Sequence, residues 1–116
     1  MKNKELIKNS DLKELIEDFK VLISQELKNK LKTIILYGSY ARNEQSDDSD
    51  LDLAVIYDSE LGEKEKKKVA DISCELSLKY DILLSIIYRS KKDFDEYSKF
   101  VPFYQVVNKQ GIVIYG

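Results

Sequence analysis

Apolar residues recur at helical spacing from Leu12 through Leu15, Ile16, Phe19, Leu22 and Ile23, which predicts an amphipathic helix over about 12–29. Asp11-Leu12-Lys13-Glu14 resembles a capping box, with acidic residues where a helix N-terminus favours them. Residues 1–9 are rich in Lys and Asn and are expected to fray, although Leu6 and Ile7 can extend the helix backwards. The pattern then changes. Thr33-Ile34-Ile35-Leu36-Tyr37, closed by Gly38, reads as a buried strand, and residues 39–44 suit a short helix. Gln45-Ser46-Asp47-Asp48-Ser49 is too polar to pack and reads as a loop, after which 50–57 returns to a strand. A second long helix is expected over 63–79, with a smeared apolar side of Val69, Ile72, Cys74, Leu76 and Leu78, and a third strand over 81–88. Ser90 resembles a helix cap, Pro102 can open a helix and Gly111 can close it, and 112–115 adds a terminal edge strand. This order predicts an α+β fold, a small mixed β-sheet flanked by helices.

Length and composition narrow the picture. With 116 residues the chain is expected to be a single domain, 43% hydrophobic and 34% charged, the mix of a soluble globular protein. A net charge of -2, from 19 basic against 21 acidic residues, argues against general nucleic-acid coating. Histidine is absent, which removes the Ser/His/Asp triad and every His-containing zinc site. Cys74 stands alone, so no internal disulfide forms. The longest apolar run, 82–88, is far below the ~18 residues of a membrane span. No secretory signal is visible in Met1-Lys2-Asn3-Lys4-Glu5, and with a free cysteine this leads to the expectation of a cytoplasmic protein without membrane partners.

The segment that bears chemistry is Gly38-Ser39-Tyr40-Ala41-Arg42, with Asp50-Leu51-Asp52 following Ser39 after ten residues. Side chains alternate along a strand, so Asp50 and Asp52 share a face about 7 Å apart, where two carboxylates can converge on a pair of divalent cations. Too few residues separate Gly38 from Asp50 for a long crossover helix, so an antiparallel return brings the Gly-Ser turn beside the carboxylates. A helix joins the second and third strands, which implies a parallel crossover and places the start of the third strand, Asp81, near Asp50 and Asp52. Such a place supports nucleotidyl transfer. Magnesium takes carboxylate and phosphate oxygens, Gly38 admits phosphate close to the backbone, and Ser39 can donate to it. Asp81 can hold the nucleophile-side metal or accept the proton of the attacking hydroxyl. Arg42 can pair with a triphosphate or with an acid of the loop.

The spacing of Gly38-Ser39 and Asp50-x-Asp52 resembles the signature of the DNA polymerase β-like nucleotidyltransferase superfamily. Tyr37-Gly38-Ser39-Tyr40-Ala41-Arg42 with Ser49-Asp50-Leu51-Asp52-Leu53 is most similar to its minimal nucleotidyltransferases, the resemblance covering roughly 33–88 and weakly 103–115. It implies the polymerase β-like fold and a Mg²⁺-dependent enzyme using two ions and an NTP, most often ATP. Asp50, Asp52 and Asp81 would be its metal ligands and catalytic groups, and Gly38, Ser39 and Arg42 its nucleotide contacts. It further implies an antitoxin partnered with a HEPN-domain toxin, transferring AMP to a toxin tyrosine. Asn43 stands where the family usually has glycine, and Asn tolerates left-handed backbone angles.

Other features carry blander readings. Asp47 and Asp48 are solvated loop acids, and Lys64, Lys66, Lys67 and Lys68 alternate with Glu63 and Glu65 on a solvated helix face. Cys74 is expected to be a small buried hydrophobe, and the eight tyrosines to serve packing. A domain this size has no second lobe to present an acceptor, so a partner is expected to bring it. Phe100, Val101, Phe103 and Tyr104 are either docking surface or core. The alternatives are an antitoxin that acts by binding alone, and a small-molecule nucleotidyltransferase of the aminoglycoside type.

Overall fold

Alternation along the strands decides how the sheet is covered. In the computed structural model, which describes residues 2–3, 10–46 and 49–116, the strands are β1 (Lys2–Asn3), β2 (Leu31–Tyr37), β3 (Leu51–Tyr57), β4 (Leu84–Ser90) and β5 (Ile112–Tyr115). The helices are α1 (Ser10–Leu27), α2 (Gly38–Ala41), α3 (Glu63–Tyr80), α4 (Lys91–Tyr97) and α5 (Pro102–Gln110), with a 3-10 turn at Lys28–Lys30. The strand order is β1-β5-β2-β3-β4; β3 runs parallel to β4 and β1 to β5, while β2 is antiparallel to both β3 and β5. This is the α+β arrangement with a mixed sheet that the pattern implied.

Ile34 and Leu36 of β2, Leu53 and Val55 of β3 and Ile112 and Ile114 of β5 face the main core. There they meet Leu15, Phe19 and Ile23 of α1 and Val69 and Leu76 of α3. The opposite face carries Ile35, Ala54 and Ile56, covered by Phe94 of α4 and by Tyr104 and Val107 of α5. Fully burying a Leu, Ile or Phe contributes about 1.5–3 kcal/mol, so the α1–α3 side supplies most of the hydrophobic stabilisation. Asp18 of α1 ties the two long helices, accepting from the Tyr80 hydroxyl (2.6 Å) and from Lys79 Nζ (3.2 Å).

Local signals behaved as expected at several joints. The Ser90 hydroxyl accepts from the Asp93 N–H (3.1 Å) and caps α4, and Pro102 opens α5. Asn43 takes the left-handed conformation (φ 57) that its side chain tolerates.

Five expectations are corrected. The third strand begins at Leu84 rather than Asp81, because α3 runs one residue further and Asp81 ends it in a left-handed turn (φ 55), its N–H donating to the Ser77 carbonyl. The short helix after Gly38 is confined to Gly38–Ala41. The terminal strand β5 is not an edge: it pairs with β2 on one side and with Lys2 and Asn3 on the other. Those two residues therefore form sheet, and the rest of the expected frayed segment lies outside the described residues, as do Asp47 and Asp48. Cys74 is exposed, since it stands two residues from both Ile72 and Leu76 and so turns away from the stripe they define.

Candidate active site

β2 ends and β3 begins at the same edge of the sheet, and the register pairs Tyr37 with Asp52. Gly38 follows at once with φ 75, a left-handed conformation that glycine adopts without penalty. Glycine is required here twice over. A Cβ on Gly38 would lie against the Asp52 carboxylate, with Asp52 Cγ only 3.1 Å away. The Gly-Ser turn and the second aspartate of the Asp-x-Asp pair are thus packed backbone against side chain. The turn is held by the Glu44 N–H donating to the Ser39 carbonyl (2.9 Å) and the Arg42 N–H to the Gly38 carbonyl (3.2 Å).

Asp52 is half-buried and Asp50 exposed, two residues apart at the start of β3. Burial pushes the Asp52 carboxyl up from its usual range, and the Asp50 charge pushes the same way; Arg42 and the nearby Ser85 hydroxyl oppose them. Tyr37, across the ladder, has its phenol raised to about 12 by burial and by the Asp52 charge. Two acids of like charge held together by the backbone suit a divalent cation, which takes their oxygens and relieves their repulsion. The donor set fits magnesium bound through one or two carboxylates with phosphate oxygens completing its shell.

The third carboxylate is a different matter. Asp81 is exposed at the end of α3, three residues ahead of β4, and the β4 residue in register with Asp52 is Ser85. Among the described residues no three acidic or thiol side chains are grouped as metal ligands. Gly38, Ser39, Asp50 and Asp52 meet at one edge, and Asp81 stands apart from the strand that was expected to carry it there. Arg42 takes the loop-acid option, its Nε donating to Glu44 Oε2 at 3.1 Å in an exposed pair. The residue that sequence reasoning passed over is Ser85. Its only signal is a polar side chain between Leu84 and Ile86, and that becomes meaningful once the β3–β4 register is known.

The comparisons agree with this geometry. The family "Polymerase beta, Nucleotidyltransferase" matches residues 20–116. The chain is 47% identical over 77 residues, 66% of its own length and 78% of the relative's, to "Putative protein adenylyltransferase MJ0141" of Methanocaldococcus jannaschii. Among solved structures, a toxin–antitoxin with AMP-PNP superimposes with a TM-score of 0.60 at 23% identity, covering 86% of this chain and 73% of the other. A structure named "putative minimal nucleotidyltransferase" gives a TM-score of 0.57 at 21% identity, covering 90% and 97%. No helix among the described residues is long and apolar enough to cross a membrane. With a glycine turn, an Asp-x-Asp strand and a family match over most of its length, the chain belongs to the polymerase β nucleotidyltransferase family and is a nucleotidyltransferase.

Proposed function

We propose that the chain is a Mg²⁺-dependent adenylyltransferase that moves AMP from ATP to a hydroxyl of a partner protein, acting as an antitoxin on a tyrosine of a HEPN-domain toxin. The observation that carries this reading is the contact of Gly38 with Asp52, which sets the glycine turn directly against the second carboxylate of the pair. The adenylyltransferase name of the relative from M. jannaschii and the toxin–antitoxin with AMP-PNP support the nucleotide and the partner. In this reading Gly38 and Ser39 hold the triphosphate, Asp50 and Asp52 hold magnesium, and Arg42 exchanges Glu44 for phosphate. Bound there, magnesium would supply charge neutralisation for the leaving pyrophosphate and activation of the acceptor hydroxyl. The acceptor oxygen bonds to the α-phosphorus, the bond to the pyrophosphate oxygen breaks, and the hydroxyl proton leaves to water. Asp52 and Gly38 keep the phosphate chain fixed in line with that attack, a matter of positioning and charge.

A second reading, an antitoxin that acts by binding alone, is favoured by one observation: Ser85 stands where a third carboxylate would face Asp52. Incubation with labelled ATP, Mg²⁺ and the co-encoded toxin separates the two. Label on the toxin, lost in Asp50→Ala and Asp52→Ala, is the expected result. Tight association without label, unaffected by those changes, overturns the proposal in favour of the second reading.

A further inference from the structure

Away from the carboxylates, on the same face of the sheet, α4 and α5 leave a cavity of about 480 Å³ lined by Tyr57, Arg89, Asp93, Tyr97, Val101 and Tyr104. Arg89 is partly buried in its wall. Its Nε donates to the Tyr104 hydroxyl (2.5 Å), its Nη1 to the Tyr88 carbonyl (2.7 Å), and its guanidinium lies 5.6 Å from the Tyr104 ring centre. Among the described residues it makes no ion pair. A guanidinium taken partly out of water without a carboxylate is unusual, because it is the side chain best suited to grip one. Its rim is apolar: of the exposed large hydrophobic residues, Tyr97, Phe100, Phe103 and Val106 all fall on this one stretch of chain.

The cavity and the site lie on one face of the sheet. Arg89 pairs in register with Ile56 and Ser85 with Asp52, four residues along the strands, which is about 13 Å. Between them Tyr37 packs edge-on to Phe103 at 5.7 Å, and Phe103 to Tyr104 at 5.2 Å. Whatever covers α5 therefore abuts the edge where the phosphate chain would lie.

From this arrangement we infer that the Arg89 cavity and its aromatic rim are the docking site of the acceptor protein, which inserts an acidic side chain to meet Arg89. The inference rests on the proposed reaction for the identity of the occupant. Chemistry favours a peptide segment over a free phosphate: Asp93 also lines the cavity and repels a dianion, whereas a carboxylate next to a backbone N–H satisfies Arg89 and Asp93 together. Tyrosine and arginine around an apolar rim are also the composition that carries binding energy at protein interfaces.

The test compares wild type with Arg89→Gln and Phe100→Ser, using the co-encoded partner protein and AMP-PNP as probes in calorimetry and a titration of partner in the AMP-transfer assay. Both variants are expected to raise the partner's Kd and KM by about 10-fold or more, with kcat and AMP-PNP affinity unchanged. Leu78→Ser, an exposed apolar residue on α3, is expected to change neither. Unchanged partner binding in both variants, or no partner binding by wild type, overturns the inference. Weakened AMP-PNP binding in Arg89→Gln also overturns it, since the cavity would then hold nucleotide. If wild type transfers no AMP while both variants still lose partner binding, the docking site stands and the proposed reaction falls.

Discussion

Gly38 and Asp52 share one space: the place where Gly38 would carry a side chain is filled by the Asp52 carboxylate. Gly38→Ala therefore adds a clash to a left-handed backbone (φ 75), a conformation that costs a residue with a Cβ about 1–2 kcal/mol. The variant is expected to melt several degrees lower and to lose AMP-PNP binding, with transfer falling about 100-fold, the order seen when aligned groups are displaced by an ångström. Calorimetry and a transfer assay on the same preparation check both effects.

Asp52→Asn separates function from stability. Under the proposed reaction, removing one carboxylate of the pair is expected to lower transfer by about 100-fold or more. The folded protein holds the Asp52 carboxyl above its ordinary value of 3.8, so the folded state binds a proton more readily than the unfolded one. Stability from this group is accordingly greatest below that value and declines as pH rises through the folded pKa. At neutral pH and without Mg²⁺, Asp52→Asn is expected to melt no lower than wild type, and the difference between the two to shrink in acid. Thermal melts from pH 3 to pH 7 decide it.

Ser85→Asp places a carboxylate in register with Asp52. Without divalent cation the added charge is expected to lower the melting temperature, and Mg²⁺ to restore it more than in wild type. Under the proposed reaction the apparent affinity for Mg²⁺ rises in a transfer titration. Under the proposed reaction Ser85→Ala, which removes the hydroxyl in register with Asp52, is expected to weaken Mg²⁺-dependent transfer by about 10-fold.

Asp18 joins α1 to α3, and its carboxyl is held below 3.8 by the Tyr80 hydroxyl and by Lys79. For a depressed acid the sign is the reverse of Asp52. Its stabilisation is present above 3.8 and is lost as pH falls through the lower folded value. Asp18→Asn is expected to lower the melting temperature by about 2–4 °C at pH 7, with the gap closing in strong acid and AMP-PNP binding unaltered. Melting curves at three pH values and one calorimetric titration suffice.

Most elements were legible because their signals are local. The stripe of Leu15, Phe19 and Ile23 is helical whatever surrounds it, and Ser90 and Pro102 mark helix starts through their own chemistry. The same holds for half of the candidate site. Gly38-Ser39 ends one strand and Asp50-x-Asp52 opens the next, so a short connection forces them together. Where the reading failed, the deciding contact was distant in sequence. Asp81 looked like the first residue of a strand, but α3 gained one more turn residue and a left-handed exit against Ser77. Cys74 looked like part of an apolar side that, once packed on α1, proved to be a narrower stripe of Val69, Ile72 and Leu76.

By itself the sequence determined the strand alternation, the glycine turn and the closeness of Asp50 to Asp52, since covalent geometry sets which side chains lie two or four residues apart. Only the tertiary structure decided that Ser85 stands beside Asp52, that β5 lies inside the sheet and that Arg89 opens into a cavity on the face that carries Asp52. Strand register and helix docking come from hydrogen bonds and packing between segments tens of residues apart, and no local pattern encodes which residue of one strand will meet which residue of another.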